Sequence, residues 1–182
     1  AETGLTPEQI KSYSENGKGP KIRIVARTGD GGAFYTPTEG NLIEVDGSVL
    51  QILSKAQARY SAFNDEEEER NYAGTIFLMV KSILHEFTHF GDIETNGLVT
   101  DKGGGTQDKE KADNGYERGV DTEVFLCGEE TAWGNYDSPE EKHTPTKGAA
   151  ESTLKGAIKK GWSAKNIIKT FIQGTHEKLN KL

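Results

Sequence analysis

The stretch from Tyr72 to Phe90 constrains the fold more than any other part of the chain. Ala73, Ile76, Phe77, Val80, Ile83, Leu84 and Phe87 recur in it at three- and four-residue steps, the period of an α-helix with one apolar side. At about 100° per residue, His85 and His89 lie roughly opposite the middle of that side. The acidic run DEEEER at 65–70 suits the start of such a helix, because carboxylates there oppose the positive end of the helix dipole. The expectation is a strongly amphipathic helix that buries one side and presents its histidines on the other.

Within that helix, residues 84–92 read LHEFTHFGD. Histidines four apart point the same way, with Cβ atoms about 6 Å apart, so both imidazoles can reach one tetrahedral ion. Glu86, about 100° round from His85, is placed to touch a water on that ion without ligating it. HExxH requires this arrangement. A zinc ion with three protein ligands and one open position brings the pKa of its water towards about 7, and a carboxylate beside it passes a proton to a leaving amine. Histidine pairs at this spacing also occur on helices that hold no metal; the glutamate between them and the amphipathic setting favour the metal.

The rest of the chain reads as a small sheet followed by helices. Thr6 caps a short helix from Pro7 to about Ser14, and KIRIVAR (21–27), GAFYTP and NLIEVDG read as strands separated by glycine and proline turns. Ser48 is placed to cap a helix VLQILSKAQARYSAF, whose Val49, Ile52, Leu53 and Ala56 follow helical spacing. After Asp92 a polar, glycine-rich segment predicts a long loop, then a helix over 116–128. Residues 129–148 look irregular, and two helices, about 149–160 and 163–180, close the chain, with Ser163 as the cap of the second.

Composition removes several function classes. The net charge is −7 and the lysines are scattered among acids, so the basic stripe of a nucleic-acid binder is missing. No apolar run is long enough for a membrane span. The single cysteine, Cys127, allows no intrachain disulfide and says nothing about compartment. The chain starts AETGLTPEQ without an initiator methionine, as expected of a processed or excised piece of a larger polypeptide. Its 182 residues fit a single domain over 1–182, with sub-domains of about 1–92 and 93–182.

HEFTHFGD, with ILHE before it, resembles the active-site helix of zincin metallopeptidases; with the acidic segment downstream, residues 72–128 resemble the metallopeptidase toxin domains at the ends of bacterial polymorphic toxins. The resemblance implies an α+β, zincin-like fold: a small twisted sheet, a backing helix and an active-site helix, then a mostly helical C-terminal part. It implies one catalytic Zn2+ held by His85, His89 and a carboxylate, with Glu86 as general base. It further implies a protein or peptide substrate, secretion or delivery into a target cell, and a cognate immunity or inhibitor protein. A zincin-shaped protein-binding domain without catalysis is the alternative.

The third ligand stays open among three carboxylates. No histidine follows His89 at the metzincin spacing. Glu117, with Asp121 four residues on, resembles the gluzincin pattern of a glutamate ligand followed by an aspartate that orients a zinc-bound histidine. Glu123 shares a helix face with Gly119, whose missing side chain lets this helix approach the histidine helix closely. Asp92, three residues after His89, faces the same way as both histidines if the helix continues through Gly91. Tyr136, or else His143, is the candidate oxyanion stabiliser, His176 has no assigned role, and GAFYTP is a candidate edge for an extended peptide substrate.

Overall fold

The computed structural model describes residues 5–13, 15, 18–26, 33–36, 41–96, 118–127 and 147–179. They form an α+β fold of three short strands and a larger helical part: α1 (Pro7–Tyr13), β1 (Lys21–Val25), β2 (Ala33–Thr36), β3 (Leu42–Asp46), α2 (Gly47–Phe63), α3 (Glu66–Asn96), α4 (Arg118–Cys127), α5 (Lys147–Lys159) and α6 (Ala164–Leu179). The glycine-rich segment after residue 96 and the irregular stretch over 129–146 lie outside the described residues.

β3 is the middle strand, parallel to β1 on one side and antiparallel to β2 on the other. All five of its residues are buried, including Glu44, whose carboxylate takes a 2.6 Å hydrogen bond from Arg23, its cross-strand partner on β1. That pairing offsets the cost of burying a charge in the sheet. Strand β1 ends at Val25, two residues short of the KIRIVAR run.

Asp46, at the end of β3, turns the chain directly into α2: its carboxylate accepts from the Ser48 backbone N–H at 2.7 Å. The cap is therefore Asp46 and not Ser48, because the helix begins at Gly47 and places Ser48 inside its first turn. Asp65 caps α3 in the same way, accepting from the Glu68 N–H at 2.8 Å, and the exposed Arg59 of α2 pairs with buried Glu68. Thr6 and Gln9 exchange reciprocal bonds at the start of α1. Between α5 and α6, Gly161 takes φ +93° while Gly161 and Trp162 bond back to Ile158 and Ala157, and Ser163 caps α6 as expected.

Thirty-one residues long, α3 spans roughly 46 Å and packs against α2, α4, α5, α6, β2 and β3. Two apolar clusters cover it. Leu53 and Ala56 of α2, Tyr72, Ala73, Ile76 and Phe77 of α3, Leu154 and Ala157 of α5, and Ile167 and Ile168 of α6 form the larger one. Ala33, Ile43, Val45 and Val49 form the smaller, against Ile83 and Phe87; Met79 touches both. The helix continues to Asn96, beyond the end expected near Phe90, so Gly91 does not stop it. Val80 and Leu84, on its expected apolar side, are instead partly exposed.

Close approach of α3 and α5 depends on one glycine. A Cβ on Gly74 would stand 2.3 Å from the Ala150 carbonyl oxygen, a backbone atom that cannot step aside. Gly174 on α6 has open space around it. Gly74→Ala is expected to lower the unfolding free energy by about 1–3 kcal/mol through overpacking. Gly174→Ala should raise it by roughly 0.5–1 kcal/mol, because alanine loses less backbone entropy in a helix. Urea denaturation of the two variants tests the opposite signs; a shared sign would contradict this packing.

Candidate metal centre

Opposite its apolar contacts, α3 carries a second stripe: Lys81, His85, Thr88, His89 and Asp92. Their spacing keeps them on one side of the helix. That side is not left to solvent. Lys81, Thr88, His89 and Asp92 are all buried, and α4 packs across the stripe with a polar face of its own.

Gly119, Thr122 and Glu123 make that face. A Cβ on Gly119 would lie 2.4 Å from Cδ2 and Nε2 of His85, so only glycine lets α4 rest on the imidazole. The Glu123 carboxylate is divided between two partners: Oε1 lies 2.9 Å from His85 Nδ1, and Oε2 takes a 2.9 Å bond from Lys81 Nζ. Thr88 donates to the Leu84 carbonyl and shares a 2.6 Å contact with the Thr122 hydroxyl. Lys81, His85, Thr88, Thr122 and Glu123 thus each have a polar partner across or along the seam, as groups removed from water require.

The imidazoles of His85 and His89 stand side by side, ring centroids 5.2 Å apart and planes inclined by 68°. A carboxylate paired with an ammonium accepts hydrogen bonds and donates none, so in the neutral imidazole of His85 this contact assigns the proton to Nδ1 and leaves the lone pair on Nε2. Glu86 Oε1 lies 4.0 Å from that Nε2, too far for a hydrogen bond and close enough to reach what binds there. The other Glu86 oxygen, Oε2, accepts from the Tyr35 backbone N–H at 2.7 Å. Alternation along β2 then turns the main-chain groups of Ala33 the same way as those of Tyr35, away from β3.

Tyr35 is anchored further. Its hydroxyl donates to Asn41 Oδ1 at 2.7 Å, and Asn41 Nδ2 donates to Glu94 on α3 at 3.1 Å. Burial, then the Glu94 charge, pushes the Tyr35 phenol up to about 12, so it remains a neutral donor at physiological pH.

Two imidazoles on one face with centroids 5.2 Å apart suit the nitrogen-donor chemistry of a divalent ion. Among the described residues, no three His, Cys, Asp or Glu side chains converge into a group able to hold a metal. Asp92 is 1% exposed within the continued helix, and Glu123 is engaged with Lys81 and His85. Glu117, Tyr136 and His143 lie outside the described residues, as do the side chains of Asp121 and His176. Sequence reasoning missed Lys81. Its signal was a lysine inside the apolar run FLMVKSIL, one helical turn before His85. It missed also the Tyr35 N–H, because backbone donors carry no residue-type signature.

No described helix is long and apolar enough to cross a membrane. No curated protein and no solved structure matches the chain. A family model described as metallopeptidase toxin 3 matches residues 1–128, which include the sheet, both helices of the seam and Glu117 but neither Tyr136 nor His143. The chain belongs to that family of metallopeptidase toxins.

Proposed function

We propose that the protein is a zinc-dependent endopeptidase, a single zincin-like domain acting as a secreted or delivered bacterial toxin on protein or peptide substrates. The observation that carries this reading is the placement of Glu86: held by the Tyr35 N–H through one oxygen, it brings the other to 4.0 Å from His85 Nε2. His85 and His89 are the nitrogen ligands, and Glu117 is the third. Glu123 and Asp121 orient imidazoles, Asp92 supports the end of the cluster, and Tyr136 is the candidate oxyanion donor. A cognate immunity protein that blocks the cleft is the partner this reading implies.

When bound, the ion supplies a Lewis acid and makes a water nucleophilic near neutral pH. The residues do the rest. Glu86 accepts the proton of the attacking water and delivers it to the leaving amine, while the outward main-chain groups of β2 other than the Tyr35 N–H, which Glu86 already takes, align an extended substrate by strand addition. That division gives the buried side of α3 to the ion and the sheet edge to the peptide.

Glu86→Gln is expected to reduce cleavage of unfolded casein by about 10²–10⁴-fold, the range for loss of a general base, while zinc stays bound. Casein left intact by wild type and variant alike would favour the non-catalytic binding domain. Zinc content after dialysis distinguishes the carboxylates: Glu117→Ala should retain the least metal, and Asp92→Ala or Glu123→Ala more. If Glu117→Ala binds as wild type does, the third ligand lies elsewhere.

A further inference from the structure

We infer that Lys81 dictates which end of the side chain at 123 faces His85 Nδ1, and through that side chain the tautomer of His85. Lys81 is enclosed, its side chain 0% exposed, and its ammonium offers only donors. Bound to Oε2 of Glu123, it holds the carboxylate so that Oε1 faces His85 Nδ1. Both ends of an ionised carboxylate accept, so lysine and imidazole are satisfied together only when Nδ1 carries the hydrogen. In the neutral ring the lone pair then sits on Nε2, the end of the ring against Gly119 and 4.0 Å from Glu86. Lys81 is thus a positioning residue that never reaches the ion, and its importance to metal binding rests on the reading given above.

An amide at position 123 exposes the role of the lysine, because an amide has one accepting and one donating end. In Glu123→Gln, Lys81 claims the oxygen, since an NH2 group facing an ammonium sets donor against donor. The NH2 then faces His85 Nδ1, which must accept, and the ring proton moves to Nε2. Removing the lysine frees the amide to turn. In Lys81→Met combined with Glu123→Gln, the oxygen returns to His85 and Nδ1 recovers its proton. The double variant should therefore hold metal better than the single one, the reverse of what two losses of packing would produce.

Long-range ¹H–¹⁵N spectra of the metal-free full chain read the tautomer, with His85→Gln identifying the resonances. Competition with a chromophoric chelator reads zinc affinity. Wild type is expected as Nδ1–H and Glu123→Gln as Nε2–H, with zinc bound about 10–100-fold more weakly. The double variant should regain the Nδ1–H form and most of that affinity. An Nδ1–H spectrum for Glu123→Gln, or a folded double variant that stays Nε2–H, overturns the inference. If the double variant does not fold, the Glu123→Gln spectrum alone decides. Failure of wild type to bind zinc would sink the metallopeptidase reading, whereas the tautomer in the metal-free protein is decided separately.

Discussion

Glu123 holds the buried Lys81 and the part-buried His85 at once, and the α3–α4 seam depends on it. An ammonium taken out of water loses several kcal/mol of hydration, and a carboxylate loses a similar amount, so their attraction does little more than repay the loss. With Lys81 fully enclosed and Glu123 nearly so, apolar residues of similar size at both positions would join the helices as well or better. What the ionic pair supplies is direction. It makes His85 a donor at one nitrogen and an acceptor at the other, which leucine and methionine cannot do. Removing either partner alone would leave a buried charge and cost about 3–5 kcal/mol.

Such a seam needs a rigid support, and the apolar clusters provide it. The larger one grips the first half of α3 between α2, α5 and α6; the smaller presses its middle against the sheet. Met79, two residues before Lys81, belongs to both. Polar stripe and apolar contacts are therefore parts of one helix held on several sides, which limits how far His85 and His89 can move apart. The sheet is tied in by polar contacts as well: Tyr35 bonds Glu86 through its backbone and reaches Glu94 through Asn41. One short edge strand thus meets α3 at two positions eight residues apart, more than two turns along the helix.

Much of this was legible because local rules operate one element at a time. The apolar period of 72–90, the proline and threonine at the start of α1, the turn residues around the strands and Ser163 all lead to the observed elements. Gly119 was legible too: a glycine one helical turn before Glu123 implied a close approach, and the His85 ring fills the space. The misses have particular causes. Ser48 lost the cap to Asp46 because the strand runs into the helix without a linker, and no propensity encodes that junction. Gly91 lowers helix propensity but stays helical, with the Thr95 hydroxyl bonding its carbonyl at 2.6 Å, since a long packed helix outweighs one poor residue. The polar stripe read as a surface because charge usually marks solvent; only α4, dozens of residues away, turns it into an interior.

The family match ends at residue 128, yet the core does not. Leu154, Ala157, Ile167 and Ile168, from the two helices beyond that boundary, cover Tyr72, Ala73, Ile76 and Phe77 of α3. Those α3 residues lie within the matched span and in the same helix as the histidine pair. At 25–30 cal/mol per Å2, leaving several such side chains in water costs about 1.5–3 kcal/mol each, comparable in sum to the whole stability of a domain. Gly74 makes the same point sterically, since it admits the α5 backbone at a distance no other residue permits. The segment that carries the site chemistry therefore depends on α5 and α6 for its own fold. A helix pinned on that side by apolar contact, and on the other by Glu123, is what keeps two imidazoles and a carboxylate in register.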